Sequence, residues 1–548
     1  QKSPAIILET NKGLCSSKNE FKQETGGFMM KKRIHLLSLA VSAALILGAC
    51  GNSSGAETTP PDTGDSKPAG ETTQAQGIEE NGDSVLKDGS LTEIWVTFPA
   101  TSSAPASLSE VEDAINAKVS GTMDAVIKLK VLEWGTYTDQ TNLMLSSGEK
   151  MDLFFSYSGT KDYVNKGQLT PITGLIDVYG KDLQEAMGKY IDACYVGDEL
   201  YGVPTFRDLA TQAGLVCRKD ILEETGMSAE QIKTLDDVEK LFTKVKELHP
   251  EMSLLVSSEP KRGPLANINR GLFDMIQSGV GVYMNDNDGH IDIVNTYETP
   301  EYMELAQKAL DWNKKGYFIA DSTTITDVRQ DLIKAGNCFG YIGNSHPGTT
   351  TQETMNTGMD MVTIPLTDRI LTTSGVNFGQ WTLPAACESP EKALAFLNIL
   401  YSDPEVQNLF RYGIEGKDYV VKEGEIAGYP DGVNNSNVGW TNESWITGNA
   451  AIGYAWETDP ENVWEEYQNY NDTAKVSPLY GFIFDSSKVK NEIVAIANVI
   501  DKYQGIVEAG LNDPESTVAK FNEELRAAGI QKIVDEMQAQ TDAWAAGK

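Results

Sequence analysis

Histidine is scarce in this 548-residue chain, and positive charge is short: there are four histidines, and 45 lysines and arginines face 79 aspartates and glutamates, for a formal net charge of −34. A surface that acidic repels nucleic acid and anionic lipid headgroups, which excludes both as main partners. The three histidines beyond the N-terminal segment, His249, His290 and His346, form no His-Glu-x-x-His pair, and the globular body carries neither a Gly-x-Ser-x-Gly elbow nor a Walker A loop. Ser345 and His346 adjoin in sequence, which does not make a catalytic triad. The six cysteines, Cys15, Cys50, Cys194, Cys217, Cys338 and Cys387, are widely scattered with no Cys-x-x-Cys and no zinc spacing, so no metal or cofactor is expected. Buried free thiols are the expectation for the last four, and no disulfide pairing is singled out.

Long apolar runs are missing too, with one exception. Lys31, Lys32 and Arg33 precede the apolar stretch Ile34 to Leu47, which closes on Leu47-Gly48-Ala49-Cys50. A short apolar segment behind positive charge, ended by small residues, reads as a secretory signal, and it is too short for a membrane span. Its last four residues resemble the bacterial lipoprotein box, which implies lipidation (palmitate) of Cys50 and cleavage before it. Residues 29–49 are thus the expected signal peptide. Residues 1–28 are expected to be translated leader, because Met29 and Met30 head the basic region and Thr25-Gly26-Gly27 can be encoded by a ribosome-binding sequence. From Cys50 to about residue 84 the chain is rich in Gly, Ser, Thr, Pro and Glu. It cannot bury enough surface to fold, and it reads as a flexible tether holding a globular body off the outer face of a bacterial cytoplasmic membrane.

Within the body, Thr92 to Thr97, Val126 to Leu132 and Met151 to Ser156 read as strands, separated by helical patterns at Leu108 to Val119 and from near Asp139. Such alternation predicts an α/β fold built on a parallel sheet, whose ligands sit beyond the carboxyl ends of the strands. Trp95, Phe98, Trp134, Tyr157 and Ser158 fall at or past those predicted ends. Thr234 caps a helix with Val238, Leu241, Phe242, Val245 and Leu248 on one face. Thr299, Ser389, Asp403 and Asp513 each precede a proline at a predicted first turn. Val489, Ile493, Ile496, Ile500, Tyr503 and Val507 mark an amphipathic helix. The run Asp286 to Gly289 lacks the distant bidentate acid of a calcium loop and reads as a polar turn.

Several segments occur in an order that resembles the family 1 extracellular solute-binding proteins of ABC-type carbohydrate importers, in particular their LplA- or LipO-like lipoprotein subgroup. They are residues 150–155 (KMDLFF), 200–204 (LYGVP), 218–220 (RKD), 294–300 (VNTYETP), 412–419 (YGIEGKDY), 445–449 (WITGN) and 476–485 (VSPLYGFIFD). The resemblance implies a two-lobed, type II periplasmic-binding-protein-like fold with an interlobe cleft and hinge strands. Residues 85–206 plus 376–412 would form lobe one, and 207–375 plus 413–548 lobe two. The chain would cross near Val203 to Asp208, Thr373 to Val376 and Tyr412 to Gly416. The implied partners are a small solute, a sugar and in particular an oligosaccharide, and the transmembrane subunits of a separate permease. The protein itself would be a monomer.

A sugar presents apolar C–H faces and a rim of hydroxyls, so its cleft needs aromatic platforms and planar polar groups. The candidates are Trp95, Trp134, Tyr157, Trp381 and Trp445, with Ser158, Arg207, Asn344, Gln380 and Asn449 for hydrogen bonds. Core packing is the competing reading for each tryptophan, and a structural ion pair at the hinge is the competing reading for Arg207. Trp456, Trp464 and Trp544 stand in helix-like contexts and are expected to pack. No catalytic residue is assigned. The alternatives are a carbohydrate-active surface enzyme using paired carboxylates, for which the chain has acids in plenty, and a structural surface lipoprotein.

Overall fold

A computed structural model describes residues 82–547, apart from 101–103, 158–159, 260, 286–289, 321 and 326–327. The leader, the signal segment, Cys50, most of the tether, Ser158 and the run at 286–289 lie outside the described residues.

The first sheet follows from alternation. In Ala125–Glu133 (AVIKLKVLE), Ile127, Leu129 and Val131 point inward. Lys128 and Lys130 point out, to Glu112 and Glu149. Its neighbour Thr92–Ala100 is buried on both faces from Val96 onward, as befits a strand inside a parallel sheet. We label these strands β1 (Thr92–Ala100) and β2 (Ala125–Glu133), followed by β3 (Leu153–Tyr157), β4 (Val203–Pro204), β5 (Ala213–Arg218), β6 (Ser253–Val256), β7 (Cys338–Asn344), β8 (Met361–Pro365) and β9 (Gly379–Thr382). β1 runs parallel to β2 and β3, β9 returns antiparallel to β3, and β4 closes the edge, giving the order β2-β1-β3-β9-β4. The helix Leu108–Val119 covers this sheet with Val111, Ile115 and Val119, four residues apart.

The second sheet has the order β8-β5-β7-β6, with β7 antiparallel to β5 and parallel to β6. Against it packs Leu235–Leu248, whose cap Thr234 accepts from the Asp237 amide while the Asp237 carboxylate reaches back. Leu248, expected on the buried face, is half exposed at the frayed end. The four predicted Pro-headed helices all form, at Pro300–Lys314, Pro390–Ser402, Pro404–Tyr412 and Pro514–Ala528. A third core unites Lys490–Glu508, Pro514–Ala528 and Ile530–Ala546 with a small sheet that includes Phe273–Gln277 and Val280–Tyr283. Within it the Arg262 guanidinium meets the buried Glu508 carboxylate through two bonds of 2.9 and 2.8 Å.

Each sheet has its own core, so the structure has two lobes, and the chain crosses between them three times. Two crossings fall near their expected places: between β4 and β5, and between β8 and β9 through Ile370–Leu371 and the helix Thr373–Asn377. The third does not. Past Tyr412 the chain stays with lobe one, because Trp440 and Ile446 belong to its core and Tyr412 stacks on Trp456 at 5.4 Å. It leaves only after the helix Val463–Asp472, where Lys475–Val476 pairs with Ile370–Leu371. The expectation that 413–548 lies wholly in lobe two is corrected accordingly.

Among the described residues no disulfide forms. Cys194, Cys217 and Cys338 are buried free thiols, and Cys387 is partly exposed. No helix of the described residues is long and apolar enough to cross a membrane, and none of their His, Cys, Asp and Glu gather into a metal-sized group.

Candidate functional site

The carboxyl ends of β2 and β3 place Trp134 and Tyr157 at one edge of the first sheet. Because β9 runs antiparallel to β3, with Gly379 opposite Tyr157, the residue before it, Phe378, arrives at the same edge. Trp445 joins from the short turn Ser444–Ile446, which is anchored when Trp381 Nε1 donates to the Ile446 carbonyl at 3.0 Å. The four rings touch. Trp134 stacks on Trp445 at 5.3 Å and 26°, and Tyr157 meets Phe378 at 4.8 Å. Phe378 lies 6.2 Å from Trp445. Tyr157 and Phe378 are 38% and 42% exposed, so the cluster has a dry back and an open face.

Phe378 and Trp445 of this cluster line a cavity of about 540 Å³ between the lobes. Arg207, Phe378 and Trp445 line one side, and Asn267, Asp274 and Asn344 line the other. A cavity of about 380 Å³ adjoins it and shares Ser374 and Phe378. A third, of about 250 Å³, shares Asn267, Arg270 and Asn344. The shared residues join the three cavities along one cleft. Across the 380 Å³ cavity, Lys161 of lobe one donates to the Ile483 carbonyl at 3.1 Å, and burial draws its pKa below the ordinary lysine value.

Arg207 is almost buried. It donates to the carbonyls of Asp208 (2.7 Å) and Gly375 (2.5 Å), and its guanidinium lies 5.6 Å over Phe378. Burial lowers its pKa, with Asp208 opposing. It therefore fastens the first two crossings together and holds Phe378, while its Nε has no partner. Asn471, fully buried, adds a clamp from the third crossing: Oδ1 accepts from the Leu209 and Ala210 amides and Nδ2 donates to the Arg207 carbonyl.

The remaining sequence candidates divide. Asn344 ends β7 in the cleft wall, exposed, and accepts from the Gln212 amide at 3.4 Å. Trp95 is not at a strand end: β1 runs on to Ala100, leaving Trp95 five residues short, roughly 16 Å away, with its Nε1 donating to Glu93. Phe98 and Trp381 are fully buried core residues. Gln380 is buried but lines the 380 Å³ cavity, donates to Thr160 Oγ1 at 2.5 Å, and lies so close over Gly202 that a Cβ there would fall 2.1 Å from Oε1. Asn449 caps a short turn and donates to the Tyr401 carbonyl, a structural duty. Trp456, Trp464 and Trp544 pack, against Tyr412, Tyr467 and Phe482. Ser345 and His346 sit in the loop after β7, bonded to the Gln212 and Pro347 carbonyls. Phe378 and Asp274 were not legible in sequence. Neither sits in a periodic pattern, and only pairing across long stretches of chain brings them to the cleft.

A family model for bacterial extracellular solute-binding proteins matches residues 114–407, more than half of the chain, and one described as a domain of unknown function (DUF3502) matches 478–546. A Streptococcus pneumoniae protein named carbohydrate ABC transporter substrate-binding protein is 25% identical over 532 residues, covering 93% of this chain and 98% of its own. The crystal structure of the N-glycan transport solute binding protein NgtS from the same species superposes with a TM-score of 0.71 at 24% identity, over 82% of this chain and 98% of that one. NgtS in complex with Man1GlcNAc superposes with a TM-score of 0.60 over 82% and 99%.

Proposed function

The chain belongs to the bacterial extracellular solute-binding protein family, and from that premise we propose that it captures an oligosaccharide between its lobes and hands it to an ABC-type permease. The observation that carries this reading is the pair Phe378 and Trp445, which lines the interlobe cavities and is backed by Trp134 and Tyr157 in one aromatic cluster. Aromatic rings take the apolar faces of sugar rings, and the polar side chains opposite take hydroxyls. The names of the streptococcal relatives support a carbohydrate solute.

Capture works by differential affinity. Open lobes offer the wall alone. Closed lobes add Asn267, Asp274 and Asn344 from the other side, so the ligand favours closure by the contacts it gains there. The permease then reads the closed shape. The protein forms and breaks no covalent bond in the sugar. It works as a monomer at the outer face of the cytoplasmic membrane, held by lipid on Cys50 through the tether.

Calorimetric titration of residues 82–548 with Man1GlcNAc, maltotriose and a fructo-oligosaccharide tests the proposal. Saturable one-to-one binding near the micromolar range, about −8 kcal/mol, with the sugar recovered intact, is the expected outcome. Cleavage of the sugar would replace capture with hydrolysis, and the absence of binding to any glycan would remove the carbohydrate reading. Globomycin-sensitive processing and palmitate incorporation that vanish in Cys50→Ser test the anchor.

A further inference from the structure

In the wall of the main cavity, on the second lobe's side, lies one carboxylate with half of its hydrogen-bonding capacity unused. Asp274, on the strand Phe273–Gln277, is 1% exposed. Its Oδ2 accepts from Ser477 Oγ at 2.5 Å, and its Oδ1 has no partner. An ionised carboxylate is an acceptor only, and leaving one of its oxygens dry and unpaired is costly. A ligand hydroxyl in this cavity is the donor that removes the cost.

Ser477 gives the contact a second consequence. Its amide donates to the Leu371 carbonyl at 2.9 Å, and it directly follows Lys475–Val476, which pairs with Ile370–Leu371. Asp274 is therefore one side chain away from the strands that cross between the lobes. On the reading that the cleft captures a sugar, we propose that Asp274 is the second lobe's specificity-determining contact, taking a sugar hydroxyl on Oδ1 while Ser477 holds Oδ2, and so joining ligand to crossing.

The charged groups around it are few. Arg207, Asp208 and Arg270 line the same cavity, Tyr283 stands on the adjoining strand, and Lys475 pairs with Asp368 at 2.5 Å. Desolvation raises the Asp274 carboxyl to about 6, with the Ser477 hydroxyl pulling the other way. Protonating Asp274 replaces a charge-assisted acceptor with a neutral carboxyl, so affinity for a sugar hydroxyl that donates to Oδ1 falls as the pH drops below about 6.

The test uses calorimetry from pH 5 to 8 with the member of the sugar panel that saturates the wild type. D274N, which keeps a neutral acceptor at Oδ1 but loses the charge, is expected to bind roughly tenfold more weakly at pH 7.5, with its unliganded melting temperature kept or raised and its pH dependence flattened. S477A, which retains the carboxylate and loses the hydroxyl that stabilises its ionised form, is expected to move the wild-type midpoint to higher pH, and it serves as the second probe should D274N not fold. Wild-type affinity in D274N, or an unmoved midpoint in S477A, overturns the role of Asp274 alone. No binding by the wild type at any pH contradicts capture itself, and this inference falls with it.

Discussion

At the scale of the residue, two tryptophans that look alike in sequence have opposite fates. Trp445 is half-buried with one face against Trp134 and Phe155 and the other toward the cleft, whereas Trp381 is sealed in the core. Trp445→Ala should weaken sugar binding by about 2 kcal/mol or more, the usual cost of truncating an anchoring tryptophan, and calorimetry reads it directly. Trp95→Ala should leave affinity unchanged, because that ring is committed to Glu93 well short of the strand end. Asp274 supplies a prediction without ligand. Its folded carboxyl, at about 6, lies above the ordinary value of 3.8, so between those pH values the folded state holds a proton that the unfolded state has released. Stability must then fall as pH rises through that window, by on the order of 3 kcal/mol for a shift of this size. Chemical denaturation of wild type and D274N at pH 4 and pH 7 should show that drop in the first and not in the second. The buried Arg262–Glu508 pair behaves more conventionally: Glu508→Ala strands a guanidinium and should cost about 3–5 kcal/mol.

At the scale of the element, local signals are written in the sequence and distant pairings are not. Alternation announced β1 to β3, and a capping residue before proline announced four helices. The same alternation puts Trp134 just past the end of β2 and Tyr157 at the end of β3, where the structure has them. Two errors share one cause. β1 continues three residues beyond its apparent end at Thr97, which displaces Trp95 from the cleft and buries Phe98. Trp381 adjoins Gln380 in β9, which lies in the middle of the sheet, so Trp381 faces the core while Gln380 packs over Gly202 and also lines the 380 Å³ cavity. Phe378 was missed because its place depends on β9 lying antiparallel to β3, more than 200 residues earlier in the chain. The third crossing was misplaced for a similar reason, since nothing local says that Trp440 and Ile446 fill the first core. The clamp at the true crossings is also testable. Asn471→Leu strands two amides and a carbonyl in the interior and should destabilise the protein by about 3 kcal/mol or more, seen as a lower denaturation midpoint with an unchanged slope.

At the scale of the whole molecule, the two sheets have separate cores, and the three crossings are the places where dihedral change can be absorbed. Arg207 and Asn471 tie those crossings to one another, so the lobes should move about a single shared axis. Phe378 and Trp445 line the cleft from one lobe and Asp274 and Asn344 from the other, so on the proposed capture closure brings both sides onto one ligand. Small-angle scattering of residues 82–548, with and without a saturating oligosaccharide, tests this most directly. A smaller radius of gyration is expected in the saturated protein. Saturable binding that leaves the radius unchanged would contradict capture by closure.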